Sequence, residues 1–158
     1  LKDYFHHNSE EKFHKYTDTL LYLAARNEHI QNKIKDAISK KKIVICDRFI
    51  DSTIAYQVYG KKVEFKLIET IHKYILKNIK PDLTFLLKVK ANKASSRLKK
   101  RKTKNRYDKF SKNFYQNAQK AFIKLAKKNK KRYFIFDNST DDKELEKKIF
   151  NTVLSKLK

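Results

Sequence analysis

An α/β fold, with a parallel sheet flanked by helices, is predicted by two features of the sequence. Three short apolar runs read as strands: Ile43-Val44-Ile45, Leu83 to Val89 and Tyr133 to Phe136. The first, continuous and rich in β-branched residues, reads as a strand buried on both faces. Between and around these runs lie longer stretches in which apolar residues recur at the helical period. A strand–helix–strand order with a long crossover implies parallel pairing and a right-handed connection.

Residues 1 to 16 are polar and aromatic-rich, with His6, His7 and His14, and read as a helix and loop. No cysteine or paired carboxylate joins those histidines at ligand spacing, so they predict no zinc site. From Thr17 to Lys41 the apolar positions Leu20, Leu21, Leu23, Ala24, Ile30, Ile34 and Ile38 mark a helix. Tyr22 and Arg26, four residues apart, share one face of it. Such a pair can sandwich a planar base and bond its edge; it can equally be a core tyrosine beside a surface arginine.

The strand Ile43-Val44-Ile45 leads directly into Cys46-Asp47-Arg48. In open α/β sheets ligands bind beyond the carboxyl ends of strands, so Asp47 and Arg48 present a carboxylate and a fixed cation at that edge. A solvated Asp-Arg pair closing a strand is the alternative. Asp51 or Ser52 is placed to cap a helix carrying Thr53, Tyr56 and Gln57. Val63 to Asn78 is a further helix, with Val63, Leu67, Ile68, Ile71, Ile75 and Leu76 on its apolar side, ending before Pro81. Beyond the Leu83 to Val89 strand, expected to be buried, Ala91 to Lys102 reads as a helix and Lys102 to Asp108 as a turn. A long helix follows, burying Phe114, Ala118, Ala121, Phe122 and Leu125. After the last strand, the turn Asp137-Asn138-Ser139 leads to an amphipathic helix over Asp141 to Leu157.

A chain of 158 residues with 40% hydrophobic and 13% aromatic content is long and apolar enough for one domain with its own core. No internal repeat or Gly/Ser-rich linker divides it. One cysteine, Cys46, excludes a disulfide framework and fits a reducing cytosol. No run approaches the length of a membrane span, and none resembles a signal peptide. The formal charge of +23 comes mostly from lysine, 34 residues against six arginines. A coding-composition bias accounts for that excess as well as a function does. It favours anionic partners without choosing among them. Lys88 to Arg132 holds 19 of the basic residues against one acid, Asp108. With Phe110, Phe114 and Tyr115 interleaved, this segment supports a rival reading as a basic nucleic-acid-binding module. Against it, those rings fall at helical spacing, which suits a core, and the rival leaves Asp47 and Arg48 idle.

Three stretches, in order and at compatible spacing, resemble the thymidylate kinase family. Asp47 to Gln57, DRFIDSTIAYQ, is similar to its DR(Y/F/H)-x-x-S-(T/N)-x-A-Y-Q signature; Leu20 to Arg26, LLYLAAR, to its L-x-(F/Y)-x-A-x-R helix; and Pro81 to Val89, PDLTFLLKV, to its P-D-L-T-(L/F)-x-L-x-V strand. The resemblance implies a three-layer fold of the P-loop nucleoside monophosphate kinase kind, and transfer of a phosphoryl group from ATP to dTMP. It implies that Tyr22 stacks on thymine, Arg26 contacts the nucleotide and Arg48 holds the dTMP phosphate. Ser52, Thr53, Tyr56 and Gln57 would line the same pocket. Asp47 would orient the acceptor and bind Mg2+ through water. A lid at about 97–112 would bring Arg97, Arg101 and Arg106 to the transferring group, with Arg101 as an arginine finger, and adenine would lie near Asn138. A cytoplasmic homodimer is the family's usual form, and related kinases differ in base specificity.

Two departures stand beside the resemblance. Val58-Tyr59-Gly60 follows the A-Y-Q where many members have a small Gly-rich continuation. Gly60 is the single glycine, so no G-x-x-x-x-G-K-(S/T) phosphate loop exists in these residues. The expectation is a fragment lacking the family's first strands and P-loop helix, without useful kinase activity by itself.

Overall fold

A computed structural model describes residues 13–100, 110–139 and 143–157. The chain divides into two compact units, Leu1–Lys80 with Asn105–Phe122, and Pro81–Lys104 with Ile123–Lys158.

In the first unit, helix α1 (Lys15–His29) runs through a π-helical stretch, Ile30–Ile34, into α2 (Lys35–Ser39). This is the predicted Thr17 to Lys41 helix. Its apolar positions Leu23, Ile30 and Ile34 are buried, as the periodicity requires. A short helix α3 (Ile50–Thr53) continues into a second π-helical stretch, Ile54–Gly60, and is followed by α4 (Phe65–Leu76). Two apolar clusters join these elements. Leu23 packs with Val63 and Ile68, flanked by Ile54, Val58 and Leu67. Ile30 and Ile34 pack with Leu76, flanked by Phe49, Ile50 and Ile79. Each fully buried isoleucine or leucine contributes about 1.5–3 kcal/mol, so these clusters fix the segment 49–60 against α1 and α4.

The predicted first strand differs. Residues 42–46 have no regular secondary structure and pair with no strand among the described residues, and Ile43 and Ile45 are 66% and 94% exposed. An apolar run becomes a buried strand only when a neighbour takes its backbone bonds, and among the described residues the sheet contains two strands, neither of them this one. The helix start also differs. Phe49, not Asp51 or Ser52, occupies the N-cap position, without a side-chain cap bond. Asp51 lies buried in the first turn instead, where a carboxylate complements the helix N-terminus.

In the second unit, β1 (Thr84–Lys88) and β2 (Tyr133–Asp137) pair in parallel, in register from Thr84 opposite Tyr133 to Lys88 opposite Asp137. The connection between them contains α5 (Ala91–Lys100) and α6 (Lys112–Lys128), whose residues up to Phe122 belong to the first unit; it is the long crossover that parallel strands need. Helix α7 (Lys143–Leu157) closes the chain. The strands are less buried than expected, with Leu87 and Ile135 exposed. Helix α6 buries Phe114, Ala118 and Ala121, three of its five predicted core residues, and Ala126.

Candidate functional site

The site of the first unit is built around a backbone turn. Arg48 has φ 63°, in the left-handed region that non-glycine residues occupy at a cost. Immediately after it the chain enters α3, and the wide π-helical turn that follows carries Tyr56 back towards it. The Arg48 Nη1 donates to the Tyr56 hydroxyl at 2.6 Å, with the guanidinium 5.2 Å from the ring centre. Tyr56 is itself set by aromatic packing. It stacks on Phe114 at 5.8 Å and 13°, and meets Phe122 edge-on at 5.8 Å and 79°. Phe110 covers the Phe114 ring at 4.3 Å. The lone glycine is explained here: a Cβ on Gly60 would lie 2.9 Å from Phe114 Cδ2, closer than packed carbons approach.

Arg26 reaches the same turn from α1. Its Nη1 donates to the Arg48 carbonyl at 3.0 Å and its Nη2 to the Phe49 carbonyl at 3.2 Å. The guanidinium lies 4.8 Å from the Phe49 ring centre. Burial draws its pKa below the ordinary arginine value, which the neighbouring Cys46 partly opposes. The Cys46 thiol also approaches the Arg48 carbonyl, at 3.5 Å, and burial pushes its pKa up against the pull of Arg26. Asp47 and Arg48 are exposed, Tyr22, Ser52 and Tyr56 half-buried, and Thr53 and Gln57 buried. The structure therefore brings Arg26, Arg48 and Tyr56 together, with Asp47 beside them in sequence and open to solvent.

Two groups of polar residues were not singled out from the sequence. Asp18, 1% exposed, receives a hydrogen bond from Gln57 Nε2 at 3.2 Å and forms an ion pair with Lys61. The Lys61 ammonium also faces the Phe110 ring, 5.2 Å from its centre. Gln57 thus gives its amide to α1. The second group is His72, 7% exposed, whose Nε2 has no hydrogen-bond partner among the described residues. Burial first, and Arg26 second, lower its pKa to about 4, against the opposing pull of Asp51. The available signal for both was a polar residue at an apolar position of a helix, Asp18 in α1 and His72 in α4.

Arg97 lies exposed on α5 in the second unit, while Arg101 and Arg106 fall outside the described residues, as does most of the predicted lid. Asn138 follows β2, and its backbone N–H donates to the Lys88 carbonyl at 2.7 Å. Next to it, Ser139 donates from its backbone to Asp137 at 2.8 Å, and the Ser139 hydroxyl first, with that N–H second, holds the carboxyl below its usual pKa. Among the described residues no three His, Cys, Asp or Glu side chains converge as a metal cluster, and no helix is long and apolar enough to cross a membrane.

An exposed arginine held at its tip by a tyrosine hydroxyl and at its backbone by a second arginine is suited to binding an oxyanion. Comparison with known proteins agrees with this chemistry. The family model described as thymidylate kinase matches residues 1–149. The chain is 37% identical over 153 residues to the thymidylate kinase of Mycoplasma capricolum, covering 96% of this chain and 72% of that one. It is 36% identical over 130 residues to that of Ehrlichia chaffeensis, covering 82% and 62%. The crystal structure of thymidylate kinase from Ehrlichia chaffeensis superposes with a TM-score of 0.65 at 31% identity, over 84% of this chain and 59% of that one. The likeness shows an α/β fold of the P-loop nucleoside monophosphate kinase kind, a parallel sheet flanked by helices. The chain spans about three fifths of the Ehrlichia proteins' length.

Proposed function

The chain belongs to the thymidylate kinase family, and we propose from this that it supplies the dTMP-binding part of an enzyme that transfers a phosphoryl group from ATP to dTMP, giving dTDP. The observation that carries the reading is the Arg48 guanidinium, exposed yet aimed by the Tyr56 hydroxyl at 2.6 Å. Phosphoryl transfer asks a protein for in-line placement and for cations around the phosphate oxygens, rather than for covalent chemistry. Arg48 holds the acceptor phosphate. Tyr22 stacks on the base; Ser52, Thr53 and Tyr56 line the pocket, with Gln57 supporting it from behind through Asp18.

Asp47 is the acid that faces the reacting phosphates. A single exposed carboxylate fits Mg2+, which keeps several waters and is held largely by substrate phosphates. When bound, that ion neutralises charge developing on the phosphate oxygens. Arg97, Arg101 and Arg106 belong to a lid at about 97–112, in which Arg101 serves the transferring group as an arginine finger, and Asn138 lies near adenine. The enzyme works in the cytoplasm as a homodimer, as one catalytic domain. A free thiol at Cys46 supports the reducing compartment.

The nucleic-acid-binding alternative is weakened by its aromatics: Phe114 is buried and stacked on Tyr56, with Phe110 against it. The deciding experiment is calorimetric titration of the chain with dTMP, dUMP, dCMP and dGMP, followed by a phosphoryl-transfer assay with ATP. Selective binding of dTMP that is lost in Arg48→Ala is the expected result. Equal affinity for all four, or unchanged binding in Arg48→Ala, overturns it. Because these residues contain one glycine, binding is read separately from turnover.

A further inference from the structure

We infer that Asp18 is a positioning residue for base selection: together with Lys61 it fixes which end of the Gln57 amide faces the nucleotide pocket, and so favours bases that carry an N–H beside a carbonyl. The inference rests on the reading of Tyr22 as the surface on which the base stacks.

The placement follows from two helical intervals. Asp18 and Tyr22 are four residues apart in α1 and share a face. Long helical side chains lean towards the helix N-terminus, which carries the Tyr22 ring back over the turn that bears Asp18. Thr53 and Gln57, also four apart, come from the segment in which α3 passes into its π-helical stretch, and both are buried. Gln57 Nε2 donates to Asp18 Oδ2 at 3.2 Å, which brings the amide to α1 within one turn of Tyr22. A side-chain amide has two unlike ends, and Asp18 accepts only one of them. A carboxylate has no proton to give, so the amino end must face it and the oxygen must turn away. The Lys61 ammonium pairs with the same Oδ2, and its other side faces the Phe110 ring at 5.2 Å. That pairing compensates a carboxylate only 1% exposed and holds it in place. The bond to Asp18 uses one N–H of Gln57 and leaves Oε1 and the second N–H for the ligand. An acceptor beside a donor matches the N3–H and neighbouring carbonyl of thymine. Cytosine presents a lone pair at N3 and an amino group beside it, which needs the amide turned end for end. Turned that way, Oε1 would face Asp18 Oδ2 with no hydrogen between two buried acceptors.

The test titrates the wild-type chain, Asp18→Asn, Asp18→Asn/Lys61→Met and Gln57→Ala with dTMP, dUMP and dCMP. Asparagine keeps the shape of aspartate but can donate as well as accept, so it tolerates the Gln57 amide either way round. Replacing Lys61 as well removes the charge left unpaired, and that variant carries the test if Asp18→Asn does not fold. Orientation by Asp18 predicts that the dTMP-over-dCMP ratio narrows by about tenfold or more in both Asp18 variants. The dTMP-over-dUMP ratio moves by less than about twofold, since uracil shows the same N3–H and carbonyls. Gln57→Ala narrows the first ratio too, and adding Asp18→Asn to it narrows the ratio no further. A tie that only stabilises the fold would weaken all three nucleotides together; unchanged ratios would therefore overturn the inference, as would equal shifts for dUMP and dCMP. A second readout needs no ligand. The Gln57 side-chain amide protons, followed by nitrogen–proton correlation NMR in heavy water, exchange slowly in the wild-type chain and faster in Asp18→Ala/Lys61→Met. If the wild-type chain binds no dTMP, the proposed function fails; those protons then decide by themselves whether Asp18 holds the amide, and equal exchange in the two chains refutes it.

Discussion

Arg48 shows what a single residue is asked to do here: to stand in a strained backbone state with its charge exposed. Glycine occupies that state freely, whereas alanine does not. Arg48→Gly is therefore expected to be more stable than Arg48→Ala by about 1 kcal/mol, with neither variant binding dTMP. Urea denaturation beside calorimetric titration reads both effects. Gly60 presents the converse case, a residue conserving space instead of conformation. Gly60→Ala pushes a methyl into the Phe114 ring and should cost about 1–3 kcal/mol, seen as a lower Tm. At His72 the expected effect is a pH dependence. Its folded pKa, about 4, lies below the ordinary 6.5, mainly through burial, with Arg26 adding to it and Asp51 opposing. The unfolded chain then takes up a proton that the folded one refuses. Stability from this group is full above pH 6.5, falls as the pH drops towards 4, and changes no further below that. The loss is roughly 3 kcal/mol at most. His72→Leu should flatten the difference between urea midpoints at pH 7 and pH 4.5; an unchanged slope would remove His72 as its source.

Between elements, the Asp18–Lys61 pair ties α1 to the end of the π-helical turn, and Gln57 joins it from within that turn. Removing one partner of a buried pair leaves the other charge uncompensated, so Asp18→Ala should destabilise by about 3–5 kcal/mol. Replacing Lys61 as well, in Asp18→Ala/Lys61→Met, should recover much of that loss. Denaturation of the two single variants and the double variant measures the coupling; simple additivity would show that the pair is not a unit. This network also marks the boundary of what the sequence discloses. The helix stripes were legible because Leu23, Ile30, Ile34, Phe114 and Ala118 repeat locally, and the Arg48–Tyr56 pairing lay within one short motif. Asp18 and Lys61 are 43 residues apart, and nothing local in either says that the other is its partner. The π-helical turns were hidden for a related reason, since they alter the winding without altering the apolar pattern that signals a helix. Ile43 to Ile45 read as a buried strand on composition alone, yet the sheet status of such a run depends on a neighbour elsewhere in the chain. Arg26 was visible as a site residue, but its grip on the Arg48 and Phe49 carbonyls follows only from the fold of the turn.

For the molecule as a whole, a charge of +23 sets how anions meet it. A surface this basic draws nucleotides in from a distance and is screened by salt. Association of dTMP should therefore slow as ionic strength rises, while dissociation, governed by contacts at Arg48 and its neighbours, changes little. Stopped-flow measurements between 20 and 200 mM salt, roughly 21 to 7 Å in screening length, test this separation; a salt effect confined to dissociation would contradict it. Any attachment to DNA should collapse over the same interval, as expected of non-specific phosphate contacts. The two units carry a different consequence. They are interleaved along the chain, which passes from one to the other after Lys80, after Lys104 and again after Phe122. Phe114, which seats Tyr56 and crowds Gly60, is encoded far downstream of both, on the other side of two whole helices and a strand. No single cut yields either unit intact, and no contiguous exon or recombination block could carry one to another protein. In the currency of inheritance, the site and its support are one indivisible piece.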